Sequence, residues 1–183
     1  MTDVDRWGFD PRFVTFLDPL MTWRWPVRVR GPASIPPSGP AVVVLARGLD
    51  PAAPLAVAAA LRRATGRPAR FLGVPDVAAV GPLLRRVGGA VARPEELAGL
   101  LRAGHLVVLP LGRAFRPGAV PLDEEDLVPA VDAGATVVPA ALGGAGWRRA
   151  WALDLAPPVV RRTAGPAALA QGVREGIASL QRG

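Results

Sequence analysis

The sequence predicts a single-domain α/β fold, layered, with a largely parallel central sheet flanked by helices. Two observations predict it: short apolar runs of strand length recur along the chain, and segments with helical signals separate them. The central runs are continuous rather than alternating, so both faces of their sheet should be covered. A chain of 183 residues with 50% apolar content is long enough to bury one ordinary core.

We expect one domain over residues 1–183, made of an N-terminal helical arm (1–26), a core (27–142) and a C-terminal strand and helix (143–183). Residues 113–128 combine turn residues and acids without periodicity, which predicts a long surface loop.

The predicted strands share apolar content and flanking turn residues; they are 42–45, 70–72, 90–91, 106–109, 137–141 and 152–155.

Three helices carry start or stop signals. Asp50 followed by Pro51 is typical of an N-cap and a first helical residue, and predicts a helix that ends near Gly66. The acids after Pro94 favour a helix start there, with a stop at Gly104. Near the carboxyl end, a stripe at helical spacing predicts a packed helix; it comprises Leu169, Val173, Ile177 and Leu180.

The N-terminal arm has two interpretations. After Asp10 and Pro11, apolar residues follow helical spacing, although Pro19 should interrupt the helix. Aromatic and arginine residues together are typical of a membrane interface, but the aromatics could equally pack against the domain's own sheet. The residues concerned are Phe13, Phe16, Leu17, Leu20, Trp23, Arg24, Trp25, Arg28 and Arg30.

Composition narrows the functional classes. All 22 basic residues are arginine, a bias typical of a GC-rich genome, and without cysteine the chain can form neither disulfides nor thiolate metal sites. The net charge of +7 favours an anionic partner: phosphate headgroups, an acidic carrier protein or nucleic acid. The acidic amino terminus does not resemble a secretory signal, and no apolar run is long enough to span a bilayer, so a cytoplasmic protein is expected.

Four landmarks stand in a recognisable order, and through them the chain resembles the glycerophospholipid acyltransferases from about residue 27 to residue 142. They are residues 41–51 (AVVVLARGLDP), 82–93 (PLLRRVGGAVAR), 106–113 (LVVLPLGR) and 134–142 (GATVVPAAL). The resemblance implies a fatty acyl group moved from acyl-CoA or acyl carrier protein to a lysophospholipid or other alcohol. It implies no cofactor and no metal.

The reactive residues of that family are missing. Its first motif is an Asn-His pair followed by four residues and an Asp, and its second loop reads Pro-Glu-Gly-Thr-Arg. Asp50 remains, but Leu45 stands at the histidine position and Val44 at the asparagine position, while a one-residue slip would place Ala46 at the histidine. Leu111 stands at the glutamate position. The leucine, valine and alanine side chains at these positions cannot accept a proton, so the resemblance implies no convincing catalytic residue. Asp50 has a simpler role as a helix cap.

Anion binding could survive this loss. Arg93 ends the third landmark, where the family's arginine contacts the glycerol phosphate, and Gly112 and Arg113 remain of the second loop. Arg47, beside the vacant base position, is a further candidate. Guanidinium groups bind phosphate oxygens in a bidentate way, but each arginine could also be an ordinary surface charge.

Other chemistries find no support in the sequence. His105 is the single histidine, and it precedes the strand that leads to Leu111, so it should lie at the opposite edge of the sheet from the family's site. No serine has a histidine near it in the sequence. The acidic residues 123–126 are more typical of a solvated loop than of a cation site.

These observations favour a catalytically degenerate relative of the acyltransferases. Such a protein would bind an anionic lipid or an acylated or phosphorylated small molecule, or serve as partner to an active enzyme. It could contact the inner face of the membrane peripherally through the N-terminal arm. The alternative is an acyltransferase of weak or altered activity, and a third hypothesis, based on charge alone, is an arginine-rich nucleic-acid-binding module.

Overall fold

The computed structural model describes residues 4–46, 50–74, 81–111, 122–144, 150–159 and 165–182. The strands are β1 (Val27–Arg30), β2 (Ala41–Ala46), β3 (Ala69–Leu72), β4 (Gly89–Ala90), β5 (Leu106–Pro110), β6 (Thr136–Gly143) and β7 (Trp151–Leu155). The helices are α1 (Pro11–Arg24), α2 (Ala53–Thr65), α3 (Gly81–Arg86), α4 (Pro94–Arg102), α5 (Val128–Asp132) and α6 (Pro166–Arg182). Short 3₁₀ turns cover Pro32–Ser34 and Glu124–Leu127.

The strands form one seven-stranded sheet in the order β1-β7-β6-β2-β5-β3-β4. β6, β2, β5, β3 and β4 run parallel, whereas β7 runs antiparallel to β6 and carries β1 parallel to itself. The prediction of a layered α/β fold with a largely parallel sheet is therefore confirmed. All five parallel strands end at the same edge, called the carboxyl edge below; their starts form the amino edge.

Two apolar clusters cover the two faces of the sheet. On the first face, Val43 and Leu45 of β2 belong to a buried cluster with Val57 and Leu61 of α2, and α1 packs against it. On the second face, the alternate residues of β2 belong to a cluster formed with α4, α5 and α6. The strict alternation along β2 explains why its sequence is a continuous apolar run: each face of this strand is buried.

Most predicted elements are confirmed within one or two residues, and β4 begins one residue earlier than expected. The strand β1 was not predicted. Its Val-Arg-Val-Arg sequence alternates between half-buried and exposed side chains, because it is an edge strand.

The prediction that Pro19 interrupts the N-terminal helix is wrong. α1 continues through it to Arg24, with Asp10 as N-cap accepting a hydrogen bond from the backbone N–H of Phe13 at 3.0 Å. Pro19 has no N–H to donate to the carbonyl of Thr15. Both residues are exposed, so water can bind that carbonyl instead.

Two further boundaries are corrected. The helix expected to start at Pro51 begins at Ala53 with Ala52 as N-cap, and it ends at Thr65 before a left-handed Gly66, as predicted. Part of the predicted surface loop is packed instead, because Leu122 and Leu127 are buried under α6. Residues 113–121 of that loop lie outside the described residues. Among the helices that the structure describes, none combines the length and apolarity needed to cross a bilayer.

Candidate ligand-binding site

The two positions that the sequence resemblance assigns to the reactive residues lie side by side at the carboxyl edge. β2 and β5 are neighbours, with Leu45 in register with Pro110. One residue further, the backbone N–H of Leu111 donates a hydrogen bond to the carbonyl of Leu45 at 2.9 Å. The backbone geometry of a site assembled from these two strand ends is therefore present.

The side chain at the histidine position is part of the core. Leu45 has no exposed surface and belongs to the cluster on the α2 face of the sheet. Val44, at the asparagine position, is equally buried on the opposite face. Hydrocarbon thus fills the volume directly beneath the strand end, and neither residue offers a polar atom to a ligand.

The neighbouring positions differ. Ala46 is half-buried at the last residue of β2, and Leu111 is half-buried after β5; both pack against the cluster of the second face. If the one-residue slip applies, the position equivalent to the family's base is small and partly accessible rather than bulky and buried.

Asp50 has a structural part in the turn before α2. Its carboxylate accepts a hydrogen bond from the backbone N–H of Ala52 at 2.8 Å, and its carbonyl accepts one from Ala53 at 3.1 Å. These bonds fit the predicted capping role, although the cap serves the turn that leads into the helix and not the first helical residue.

Arg93 shares the carboxyl edge. It lies three residues after the end of β4 and is the exposed N-cap residue of α4, where its carbonyl accepts a hydrogen bond from Leu97 at 3.1 Å. β4 stands three strands from β2, which corresponds to roughly 14 Å across the sheet. Arg47, Gly112 and Arg113, the other predicted binding residues, lie outside the described residues.

His105 lies at the amino edge, as its sequence position indicated. Its carbonyl accepts a hydrogen bond from the N–H of Ala41, the first residue of β2, at 3.2 Å. The ring stands edge-on to Trp7 with centroids 5.3 Å apart, and burial, then the nearby charge of Arg70, lowers the pKa of His105. The chain's single imidazole is thus separated from Asp50 by the length of a strand.

Sequence reasoning missed an ionic cluster beside His105. Arg70 of β3 is only 2% exposed; it forms an ion pair with Asp5, and its guanidinium lies 4.1 Å from the ring centroid of Phe9. The carboxylate of Asp5 also accepts from the N–H groups of Trp7 and Phe9, both at 3.0 Å. The signal available in the sequence was an arginine inside an apolar strand, because a buried guanidinium needs an anionic partner.

Other features do not form a catalytic centre. No metal-ligand group of His, Asp and Glu occurs in the described residues, and burial raises the pKa of Asp126 in the acidic segment. A shallow depression of about 280 Å³ lies between Arg30, Asp154 and Leu180, at the end of β7.

Comparison with solved structures finds the same architecture in a known enzyme. The crystal structure of the 1-acyl-sn-glycerophosphate (LPA) acyltransferase PlsC from Thermotoga maritima superposes with a TM-score of 0.62 and 19% sequence identity, covering 93% of this chain and 78% of that one. The chain has the fold of that acyltransferase. At this identity the similarity establishes the fold alone. No family model and no curated protein matches the sequence.

Proposed function

We propose that this protein binds a phosphate-bearing glycerolipid at the carboxyl edge of its sheet and does not transfer an acyl group. The observation that carries the proposal is the buried Leu45 at the position of the family's base. A general base contributes roughly 10²- to 10⁴-fold to such a reaction, and leucine contributes nothing. His105 cannot replace it, because it lies at the opposite edge.

Phosphate binding rests on the arginines of this edge. Arg93 is exposed at the start of α4, on the side of the sheet where ligands of parallel α/β folds bind. Arg47 and Arg113 follow β2 and β5 in the sequence, and we include them as further phosphate ligands, with Gly112 between the strand and Arg113. Arginine pairs with phosphate through two parallel hydrogen bonds, which orients a headgroup as well as holding it.

An acyl-transfer assay tests the first half of the proposal. The purified protein is incubated with lysophosphatidic acid and either acyl-CoA or acyl carrier protein, beside a boiled sample and an active acyltransferase. We expect no product above the boiled sample from either donor. Product formation by the native protein would overturn the proposal.

A binding assay tests the second half. Lysophosphatidic acid, below its micelle-forming concentration, is titrated into wild type, Arg93→Ala and Arg102→Ala, with lysophosphatidylcholine as the ligand control. Arg102 is a matched control, because it is also exposed and lies at the other end of α4. We expect Arg93→Ala to weaken binding about tenfold and Arg102→Ala to leave it unchanged. Equal loss in both variants would reduce the effect to general charge.

Residual acyltransferase activity is the second candidate, and the shared fold with an acyltransferase favours it. Such an enzyme would take its acyl group from acyl-CoA or acyl carrier protein and would act by positioning and oxyanion stabilisation alone. The assay with both donors separates it from the leading proposal. A role as partner of an active enzyme and nucleic-acid binding by the dispersed arginines both stay predictions.

A further inference from the structure

The turn between β4 and α4 carries Arg93, and one side chain holds this turn in place. The carboxylate of Glu96, in the first turn of α4, accepts a hydrogen bond from the backbone N–H of Val91 at 2.8 Å. Its other oxygen forms an ion pair with the guanidinium of Arg85, in the last turn of α3, at 3.2 Å. We call these two contacts the Glu96 clamp. The clamp joins the residue that follows β4 to two different helices.

The Glu96 clamp completes a backbone path that is fixed from β4 to α4. The carbonyl of Ala90, the last residue of β4, accepts two backbone hydrogen bonds from the segment that follows β3, both at 3.1 Å. The N–H of Arg93 donates to the carbonyl of Val91 at 2.8 Å. Between these bonds stands the N–H of Val91, and a side chain rather than the backbone accepts from it. Glu96 thus supplies the one contact of this path that a substitution can remove.

The Glu96 clamp does more than start the helix. In the usual capping arrangement, an acid at the third position of a helix accepts from the N–H of the N-cap residue. Arg93 is the N-cap of α4, but its N–H is bonded to Val91, and the carboxylate of Glu96 reaches two residues further back along the chain. The contact therefore acts on the turn that carries Arg93 and not only on the end of the helix.

We propose that Glu96 is a positioning residue for phosphate binding at the carboxyl edge: through Val91 and Arg85 it fixes the backbone that carries Arg93. This inference rests on the proposed function, since Arg93 is the phosphate ligand there. A ligand-binding residue whose backbone is held before binding loses less conformational entropy when the ligand arrives.

The charge of Glu96 has the opposite effect to its positioning role. A carboxylate within one helical turn of Arg93 repels a phosphate, so its removal should strengthen binding if charge alone mattered. Positioning predicts that the same removal weakens binding. The sign of the change therefore distinguishes the two effects.

Titration with lysophosphatidic acid, below its micelle-forming concentration, measures that sign. We expect Glu96→Ala to weaken binding about fivefold relative to wild type, because the turn is released. Glu96→Gln keeps an acceptor for the N–H of Val91 and should recover most of the affinity. Glu95→Ala is the matched control, because it removes the same charge from an exposed neighbour in the same helical turn. It should bind as tightly as wild type or up to about twofold more tightly.

Amide hydrogen exchange at Val91 tests the Glu96 clamp without any ligand. We expect the N–H of Val91 to be protected in wild type and in Glu96→Gln, and to exchange faster in Glu96→Ala. Thermal melts establish that each variant is folded under the conditions of both measurements.

The outcomes separate this inference from the proposed function. Binding by Glu96→Ala that equals or exceeds wild-type binding overturns the positioning role and leaves phosphate binding by Arg93 intact. A freely exchanging Val91 N–H in wild type also overturns it. If wild type binds no lysophosphatidic acid, the proposed function fails and the positioning role fails with it.

Discussion

The N–H of Leu111 donates to the carbonyl of Leu45 at 2.9 Å, and so joins the ends of β5 and β2 at the two positions to which the sequence resemblance assigns a glutamate and a histidine. The backbone contact is kept while both side chains are hydrocarbon. Because Leu45 packs in the buried cluster with α2, replacing it changes the packing of the core and hence the stability of the fold.

Leu45→His should therefore fail to create an enzyme. An imidazole in a volume that has no exposed surface loses packing and hydration, and we expect the free energy of unfolding to fall by roughly 3 kcal/mol. Ala46→His, at a half-buried position, should cost about 1 kcal/mol or less. Urea unfolding measures both, and the acyl-transfer assay follows on the folded variants. A rate above the boiled sample for either variant would show that an otherwise competent site remains.

The ion pair between Asp5 and Arg70 should respond asymmetrically to mutation. Asp5→Ala leaves a buried guanidinium without its anion and removes the acceptor for Trp7 and Phe9, so we expect a loss of about 3 kcal/mol. Arg70→Met keeps the packing against Phe9 and leaves Asp5, which is 30% exposed, in contact with water; about 1 kcal/mol is expected.

Denaturant unfolding of both variants and of the double variant gives the coupling energy of the pair. Similar losses in the two single variants would contradict the asymmetry and would indicate that water reaches Arg70 despite its burial.

Stability should fall on mild acidification because of His105. Burial and the positive charges of Arg70, Arg6 and Arg67 lower its pKa, against a weaker opposing effect of Asp5. The unfolded chain takes up a proton as pH falls through about 6.5, whereas the folded protein resists until its own lower pKa is reached. The contribution of His105 to stability is thus complete above about pH 6.5 and declines between that pH and the lower pKa of the folded protein.

His105→Gln removes this titration. Chemical unfolding at a series of pH values between about 7 and 5 should show a steeper decline for wild type than for the variant. Parallel curves would mean that the imidazole titrates alike in both states. A separate loss is expected at lower pH, where protonation of Asp10 breaks its bonds to Arg86 and Phe13; these bonds lower its pKa.

Two glycines in the middle of helices should respond in opposite ways to alanine. A Cβ on Gly176 of α6 would lie 2.6 Å from Cγ of Pro139 in β6, and the proline ring cannot yield. We expect Gly176→Ala to destabilise by roughly 1–3 kcal/mol despite the better helix propensity. Gly99→Ala in α4 meets the Trp7 ring at an ordinary 3.7 Å and should stabilise by up to about 1 kcal/mol. Thermal melts decide, and a stabilising Gly176→Ala would show that α6 can move away from the sheet.

The sequence predicts the central sheet well because β2, β5 and β6 are buried on both faces, and continuous apolar runs have few other uses. It fails for β1, since four alternating residues gain their strand pairing only from β7, far along the chain. The sequence leaves the start of α2 ambiguous because Pro51 and Pro54 both suit a first helical turn. In the folded chain the helix begins at Ala53, so Pro54 is the proline of its first turn.

The candidate site is less predictable from sequence. The resemblance assigns Leu45 and Leu111 to the reactive positions, but which face of the sheet each side chain joins depends on the register of the strands, and that register is a tertiary property. The exposure of Phe16, Leu20 and Trp23 has the same origin: helical spacing predicts that they share a side of α1, and the packing of Val14 and Leu17 against the core determines that this side is exposed.

The pairing of β1 with β7 constrains the order of events during synthesis. Arg30 and Asp154 meet across 124 residues of sequence, and Val27 aligns with Trp151. A ribosome releases β1 long before β7, so β1 lacks its strand partner while the residues between them emerge. Completion of the sheet therefore depends on the emergence of residues 151–155, and a chain stalled before Trp151 carries an unpaired strand that chaperones can bind.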